Sequence, residues 1–301
     1  MRIAVLPEGR APWLAEAVRE GGGEPSAIED ADGVVWADPY DAAGLADLLA
    51  AHPDLPWVQL PFAGIDPFLD VLDDDRTWTC GKGVYAEPVA EMALALLLAC
   101  CRDLQQYARA GTWTTDHGTN LLGARVTVLG GGAITTSLLR LLKGFGCHVT
   151  VVTRHPRPID GAEEVVGPDE LHEVAARTDA LVLALALTPE TERIVDADLL
   201  AALPDDAVLV NVARGRHVDT DALVAALRDG GLRAAGLDVT DPEPLPDDHP
   251  LWSLDGVLIT PHTANTKAMG RPLLATRVRE NVRRRIAGEP LLGLVDTDLG
   301  Y

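Results

Sequence analysis

The chain lacks any apolar run near the roughly 18 residues needed to cross a membrane. The longest, "VAEMALALLLACC", is shorter and carries a glutamate. A membrane partner is therefore not expected. The first residues, "MRIAVLPEGR", contain no long apolar stretch of the signal-peptide kind and read as an immediate strand, so a cytoplasmic setting is expected. Cysteine is scarce. Cys80, Cys100, Cys101 and Cys147 show no metal-ligand spacing, which argues against a structural metal. Cys100 and Cys101, adjacent in an apolar segment, read as small core residues. Positive charge is short as well: 25 Lys and Arg face 46 Asp and Glu, for a net charge of −21. Such a surface repels nucleic acid and anionic lipid over most of its area. The exception is "RVRENVRRR", Arg277 to Arg285. At helical spacing its arginines point to several faces, as on a solvated helix.

What is present is alternation. Short apolar runs ("RIAVL", "GVVW", "WVQL", then "VTVLG", "HVTVV", "ALVLALAL", "AVLVNV", "AAGLDV", "VLIT") are separated by helix-length segments such as "PWLAEAVREGG", "TTSLLRLLKGFG" and "TDALVAALRDGG". Continuous apolar strands between helices predict parallel sheets covered on both faces. Two such series occur. One ends near Cys80; the other follows the apolar helix "EPVAEMALALLLACCRDL" and runs to about Thr260. The expected fold class is α/β, with two doubly wound parallel-sheet domains and a cleft between them, where ligands usually bind.

The segment "VTVLGGGAITTSLLRLL" reads as strand, glycine turn and helix. Gly130 and Gly132 occupy the first two positions of G-x-G-x-x-G, which permit the tight turn and close approach of backbone to a pyrophosphate. Thr135 stands at the third, where glycine allows close helix–strand packing, so some loss of packing is expected there. In "HVTVVTRHPRP", Thr153 replaces the acid that favours NAD, and Arg154 follows with Arg157 nearby. A guanidinium there can pair with a 2′-phosphate, which predicts NADP(H) over NAD(H). The plain alternative is a surface arginine.

Three chemically active side chains follow presumed strands. Arg214 comes after "VLVNVA", Glu243 lies in "GLDVTDPEPLPDDHPLW", and His262 follows "VLIT". Ligands of parallel sheets gather at carboxyl ends of strands. The separate alternatives are a capping charge, a solvated loop acid and a core histidine.

Together, "NVARGRHVDTDAL", "GLDVTDPEPLPDDHPLW", "LITPHTA", "LALTPETERIV" and the final "GEPLLGLVDTDLGY" resemble ordered signatures of the D-isomer-specific 2-hydroxyacid dehydrogenase family, of the glyoxylate/hydroxypyruvate reductase kind. The resemblance implies a discontinuous, flavodoxin-like lid domain for substrate (1–90 plus 266–301), a Rossmann cofactor domain (91–265) and a homodimer. It implies NAD(P)H-dependent reduction of a small 2-oxo acid to a D-2-hydroxy acid. In that scheme Arg214 binds the substrate's carboxylate and carbonyl oxygens, His262 donates the proton, and Glu243 is its partner. The backbone of Ala63 and Gly64 would bind the carboxylate. The cofactor would touch Gly130, Gly132, Ala133, Ile134, Thr153, Arg154, Thr188, Val212, Ala213, Asp238 and His262. Ala133 and Ala186 depart from an arginine and a proline common in relatives. Tyr85 and Trp113 are candidates for the pocket wall or for core packing. Two alternatives share the fold: an NAD(P)-sensing binding protein with weak catalysis, and oxidation of another small anion such as phosphite. Formate-oxidising relatives pair their histidine with glutamine, so Glu243 argues against formate.

Overall fold

The described structure, a computed structural model, spans residues 1–297, and all twelve strands among the described residues lie in parallel sheets. The last four residues of "GEPLLGLVDTDLGY" and of the expected 266–301 stretch lie outside the described residues. Contacts divide the chain into two units, one formed by Met1–Tyr85 with the chain from Thr266 onward, the other by Ala86–Asn265.

The first unit opens with β1 (Arg2–Leu6), α1 (Pro12–Glu20), β2 (Glu24–Pro25), β3 (Val34–Trp36), α2 (Ala42–Ala51), β4 (Trp57–Gln59) and β5 (Thr77–Thr79). Its sheet order is β2-β1-β3-β4-β5, all parallel. Pro12 starts α1, where its missing N–H costs nothing. The Asp41 carboxylate caps α2 by accepting from the Gly44 amide at 2.8 Å. Trp57, Phe68 and Trp78 fill the core with Val34, Val58 and Leu60.

The second unit comprises α3 (Ala86–Cys101), α4 (Leu104–Arg109), β6 (Arg125–Leu129), α5 (Ala133–Leu142), β7 (His148–Val152), β8 (Glu164–Val166), α6 (Leu171–Ala175), β9 (Ala180–Leu183), α7 (Ala197–Ala202), β10 (Val208–Asn211), α8 (Thr220–Asp229), β11 (Ala234–Leu237) and β12 (Val257–Ile259). The order is β12-β11-β10-β9-β6-β7-β8. Its direction reverses beside β6, which places the Gly130–Gly132 turn at the topological switch point. Side chains alternate between two cores. Ala180 and Val182 join α3 and α5 on one face; Leu181 and Leu183 join α6, α7 and α8 on the other. Both faces are buried, which is why these strands read as unbroken apolar runs.

The chain then returns to the first unit as α9 (Lys267–Ala287), packed on α1. Several of its arginines are committed to neighbours. Arg277 donates to the carbonyls of Cys80 (2.8 Å) and Lys82 (2.9 Å), Arg283 pairs with Glu280 and Glu289, and Arg285 lies over the Trp57 ring at 5.7 Å. The buried Asn281 donates to Gln59 Oε1 at 2.8 Å.

Three strands escape the apolar-run criterion: β2, β5 and β8. All are sheet edges of two or three residues carrying polar side chains, as edges commonly do. The run "ALVLALAL" is strand only to Leu183, and the helix "EPVAEMALALLLACCRDL" stops at Cys101. Asp103 there adopts a left-handed φ of 49° and opens α4. No helix among the described residues is long and apolar enough to cross a membrane.

Candidate active site

The glycine turn leaves β6 with Gly130 at φ +104°, a conformation side chains rarely adopt. A Cβ there would also lie 2.4 Å from the Ala184 carbonyl oxygen. Gly132 opens α5 with no side-chain cap, and a Cβ on it would meet nothing within 4 Å. The first-turn amides of a ten-residue helix are thus left for an anion. The expected packing defect at Thr135 does not occur. Thr135 is fully buried and its hydroxyl donates to the Gly130 carbonyl at 2.6 Å, so it staples the turn to its helix. Exposed Ala133 and half-buried Ile134 form the first turn of α5. Thr153, at the end of β7, sits against the turn: a Cβ on Gly131 would be 3.1 Å from its hydroxyl. These features fit a dinucleotide.

Arg154 is half-exposed and pairs with Glu190 at 3.2 Å. Glu190 belongs to the loop after β9, whose turn is closed by Thr188 N–H donating to Thr191 Oγ1 (2.8 Å). Sequence reading placed Thr188 beside the cofactor and did not foresee Glu190.

The Arg214 turn is shaped by two residues not singled out from the sequence. Buried Asn211, at the end of β10, accepts from the Ala213 amide (3.0 Å) and donates to the Arg214 carbonyl (2.8 Å). The amide of Arg214 donates to Nδ1 of the buried His217 at 3.2 Å, and His217 Nε2 lies 3.2 Å from the Ala186 carbonyl. Polar residues inside an apolar pattern are the signal for both. Val212 and Ala213 are buried beneath the turn. The half-buried Arg214 guanidinium donates to the Ala213 carbonyl at 2.7 Å. Gly215 is required here for space: a Cβ would fall 1.9 Å from the Thr240 carbonyl oxygen. The Arg214 turn therefore packs directly on the loop that carries Glu243.

His262 and Glu243 meet. Nδ1 of the imidazole is 2.7 Å from Glu243 Oε1, with both side chains about half exposed. The histidine is not a core residue. Its backbone adopts φ +52°, unusual for a residue with a side chain. Asp238, buried at the end of β11, holds that conformation. Its carboxylate accepts from Thr260 Oγ1 (2.5 Å), Thr263 N–H (2.9 Å) and Ala264 N–H (3.0 Å), while its carbonyl accepts the His262 amide (2.8 Å). Asp238 thus has work inside the fold as well as the cofactor contact expected of it.

The hydrogen bond from His262 is the largest influence lowering the Glu243 pKa, and the same bond raises that of His262. Desolvation opposes both shifts, and the Arg214 charge favours the carboxylate while disfavouring imidazolium. Arg214 therefore acts electrostatically on both partners. With Nδ1–H held by a carboxylate, Nε2 is the ring nitrogen left for proton transfer.

In the first unit, Ala63 and Gly64 lie in an exposed loop after β4. Tyr85 is core: it is 8% exposed and its hydroxyl donates to the Pro61 carbonyl at 2.7 Å, which fixes the base of that loop. The core reading fails for Trp113, which is fully exposed.

The family model described as D-isomer specific 2-hydroxyacid dehydrogenase, NAD binding domain, matches residues 94–264. Human glyoxylate reductase/hydroxypyruvate reductase is 36% identical over 217 residues, covering 69% of this chain and 66% of that protein. A D-isomer specific 2-hydroxyacid dehydrogenase from Xanthobacter autotrophicus Py2, solved with NADPH and MES, superposes with a TM-score of 0.85 at 32% identity, covering 100% of this chain and 99% of that one. An NADPH-dependent glyoxylate/hydroxypyruvate reductase from Sinorhizobium meliloti, solved with NADP and sulfate, does so at 0.82 and 27%, covering 100% and 99%.

Proposed function

The chain belongs to the D-isomer specific 2-hydroxyacid dehydrogenase family, and on that premise we propose that it reduces a small 2-oxo acid of the glyoxylate or hydroxypyruvate kind to its D-2-hydroxy acid, with NADP(H) preferred. The observation that carries this reading is the 2.7 Å His262–Glu243 pair beside the Arg214 turn. A nicotinamide cofactor supplies hydride when bound; Gly130, Gly132, Ala133 and Ile134 would hold its pyrophosphate, with Thr153, Arg154 and Thr188 toward its adenosine half and Val212, Ala213 and Asp238 toward the nicotinamide.

Negative charge grows on the substrate's carbonyl oxygen during reduction. The Arg214 guanidinium meets it with two parallel donors. His262 delivers a proton from Nε2 to that oxygen. Glu243 keeps the imidazole charged and oriented until it does. The preorganised turn fixes these groups before substrate arrives, which keeps reorganisation small. A homodimer is part of the proposal, as the family resemblance implies.

The test is a panel of 2-oxo acids with NADPH and NADH, followed by loss of reduced-nicotinamide absorbance. Turnover of glyoxylate or hydroxypyruvate is expected, faster with NADPH. Tight cofactor binding without turnover of any 2-oxo acid would instead support a cofactor-sensing binding protein.

A further inference from the structure

The Arg154–Glu190 pair spans the carboxyl ends of two strands, β7 and β9, that flank β6 on either side. The glycine turn leaves β6 between them. Any dinucleotide seated on that turn with its adenosine ribose toward β7 comes up against this pair. The loop that carries Glu190 is also held in place: the Thr188 amide donates to Thr191 Oγ1 at 2.8 Å, and the Thr191 hydroxyl donates to the Ala186 carbonyl at 2.8 Å. Yet the pair is open to water, with 43% of the arginine side chain and 65% of the glutamate side chain exposed. It is placed where a 2′-phosphate would go, and it is weak enough to exchange.

We propose that Glu190 is a resident counter-anion for Arg154, which the 2′-phosphate of NADP(H) must displace, so that this carboxylate tunes how strongly the chain separates NADP(H) from NAD(H). This rests on the reading of Arg154 as the 2′-phosphate residue. Binding of NADPH exchanges one ion pair for another, whereas NADH, with a neutral 2′-hydroxyl, leaves the pair intact. An isosteric neutral side chain at 190 removes the competitor and keeps its size.

Fluorescence titration of wild type, Glu190→Gln, Arg154→Ala and the double variant, with NADPH and with NADH, tests this. Glu190→Gln is expected to lower the Kd for NADPH by about two- to five-fold, the scale of an exposed ion pair, and to leave that for NADH unchanged. Its NADPH affinity should also fall more steeply with salt, since binding now forms an ion pair instead of swapping one. In the Arg154→Ala background the substitution should do nothing further. The proposal is overturned if Glu190→Gln leaves NADPH binding unchanged, or tightens both cofactors alike, while Arg154→Ala still weakens NADPH selectively. Equal losses for both cofactors in Arg154→Ala would overturn the NADP(H) reading itself, and the role of Glu190 with it.

Discussion

Two rims of the same seven-stranded sheet hold charge in opposite ways. At the exits of β10 to β12, two of the candidate residues are tied by backbone to buried polar groups: Arg214 to Asn211 and His217, and His262 to Asp238 through its loop. At the exits of β7 and β9, Arg154 and Glu190 meet in solvent. A buried network sets geometry and resists exchange, because each lost partner leaves a desolvated polar group. An exposed pair sets charge and exchanges freely. The first rim suits chemistry, in which sub-ångström placement matters; the second suits recognition of an anion.

The strongest way to break this contrast is at Arg214. Lysine keeps the charge but not the planar fork, so Arg214→Lys is expected to lower kcat/KM for the 2-oxo acid by about 10²-fold or more, with cofactor binding retained. Near-normal steady-state kinetics would remove the arginine from its role. A smaller effect, but one with a signature, is expected at Glu243. His262 carries a pKa raised chiefly by its bond to Glu243, so it stays protonated above the ordinary imidazole range of about 6.5 and loses its proton as pH rises through the raised value. Removing the carboxylate leaves desolvation and the Arg214 charge, both of which lower that pKa. In Glu243→Gln the alkaline fall of the reductive kcat/KM should therefore move to lower pH. An unmoved limb would show that Glu243 does not set the proton affinity. The same linkage applies to stability: the His262 contribution is present in full below the unfolded pKa and disappears as pH rises through the folded one.

Smallest of all should be Thr135→Gly, which restores the third glycine of the fingerprint. It removes the hydroxyl that donates to Gly130 and adds backbone freedom inside α5. A loss of about 1–2 kcal/mol in unfolding free energy is expected, with the Kd for NADPH little changed. A more stable variant would show that Thr135 strains the turn.

Much of this was legible in order along the chain. Both parallel sheets followed from apolar runs whose two faces are buried, and the candidate trio Arg214, Glu243 and His262 from charged or titratable residues placed after such runs. The edge strands β2, β5 and β8 were not legible, because strands of two or three residues that carry polar side chains give no continuous apolar signal. Asn211 and His217 were passed over because they sit inside an otherwise bland pattern; their worth lies in where their amide and imidazole reach, which spacing does not encode. Thr135 looked like a flaw because the glycine rule concerns space, whereas here the side chain fills that space and bonds back to its own turn. Glu190 was invisible for a related reason: its partner lies 36 positions away in the chain and on the far side of β6.

The return of the chain through α9 also dictates an order of assembly. The unit Ala86–Asn265 is one uninterrupted stretch and can close as soon as it has been synthesised. The amino-terminal strands cannot: Gln59 waits for Asn281, the Cys80 carbonyl for Arg277, and α1 for its packing partner. During translation the first-made segment is therefore the last to settle, and it depends on a helix that leaves the ribosome after the other unit is complete. A chain cut after Asn265 would keep a finished dinucleotide fold joined to an orphaned half-domain, and that half is where a chaperone or protease would take hold.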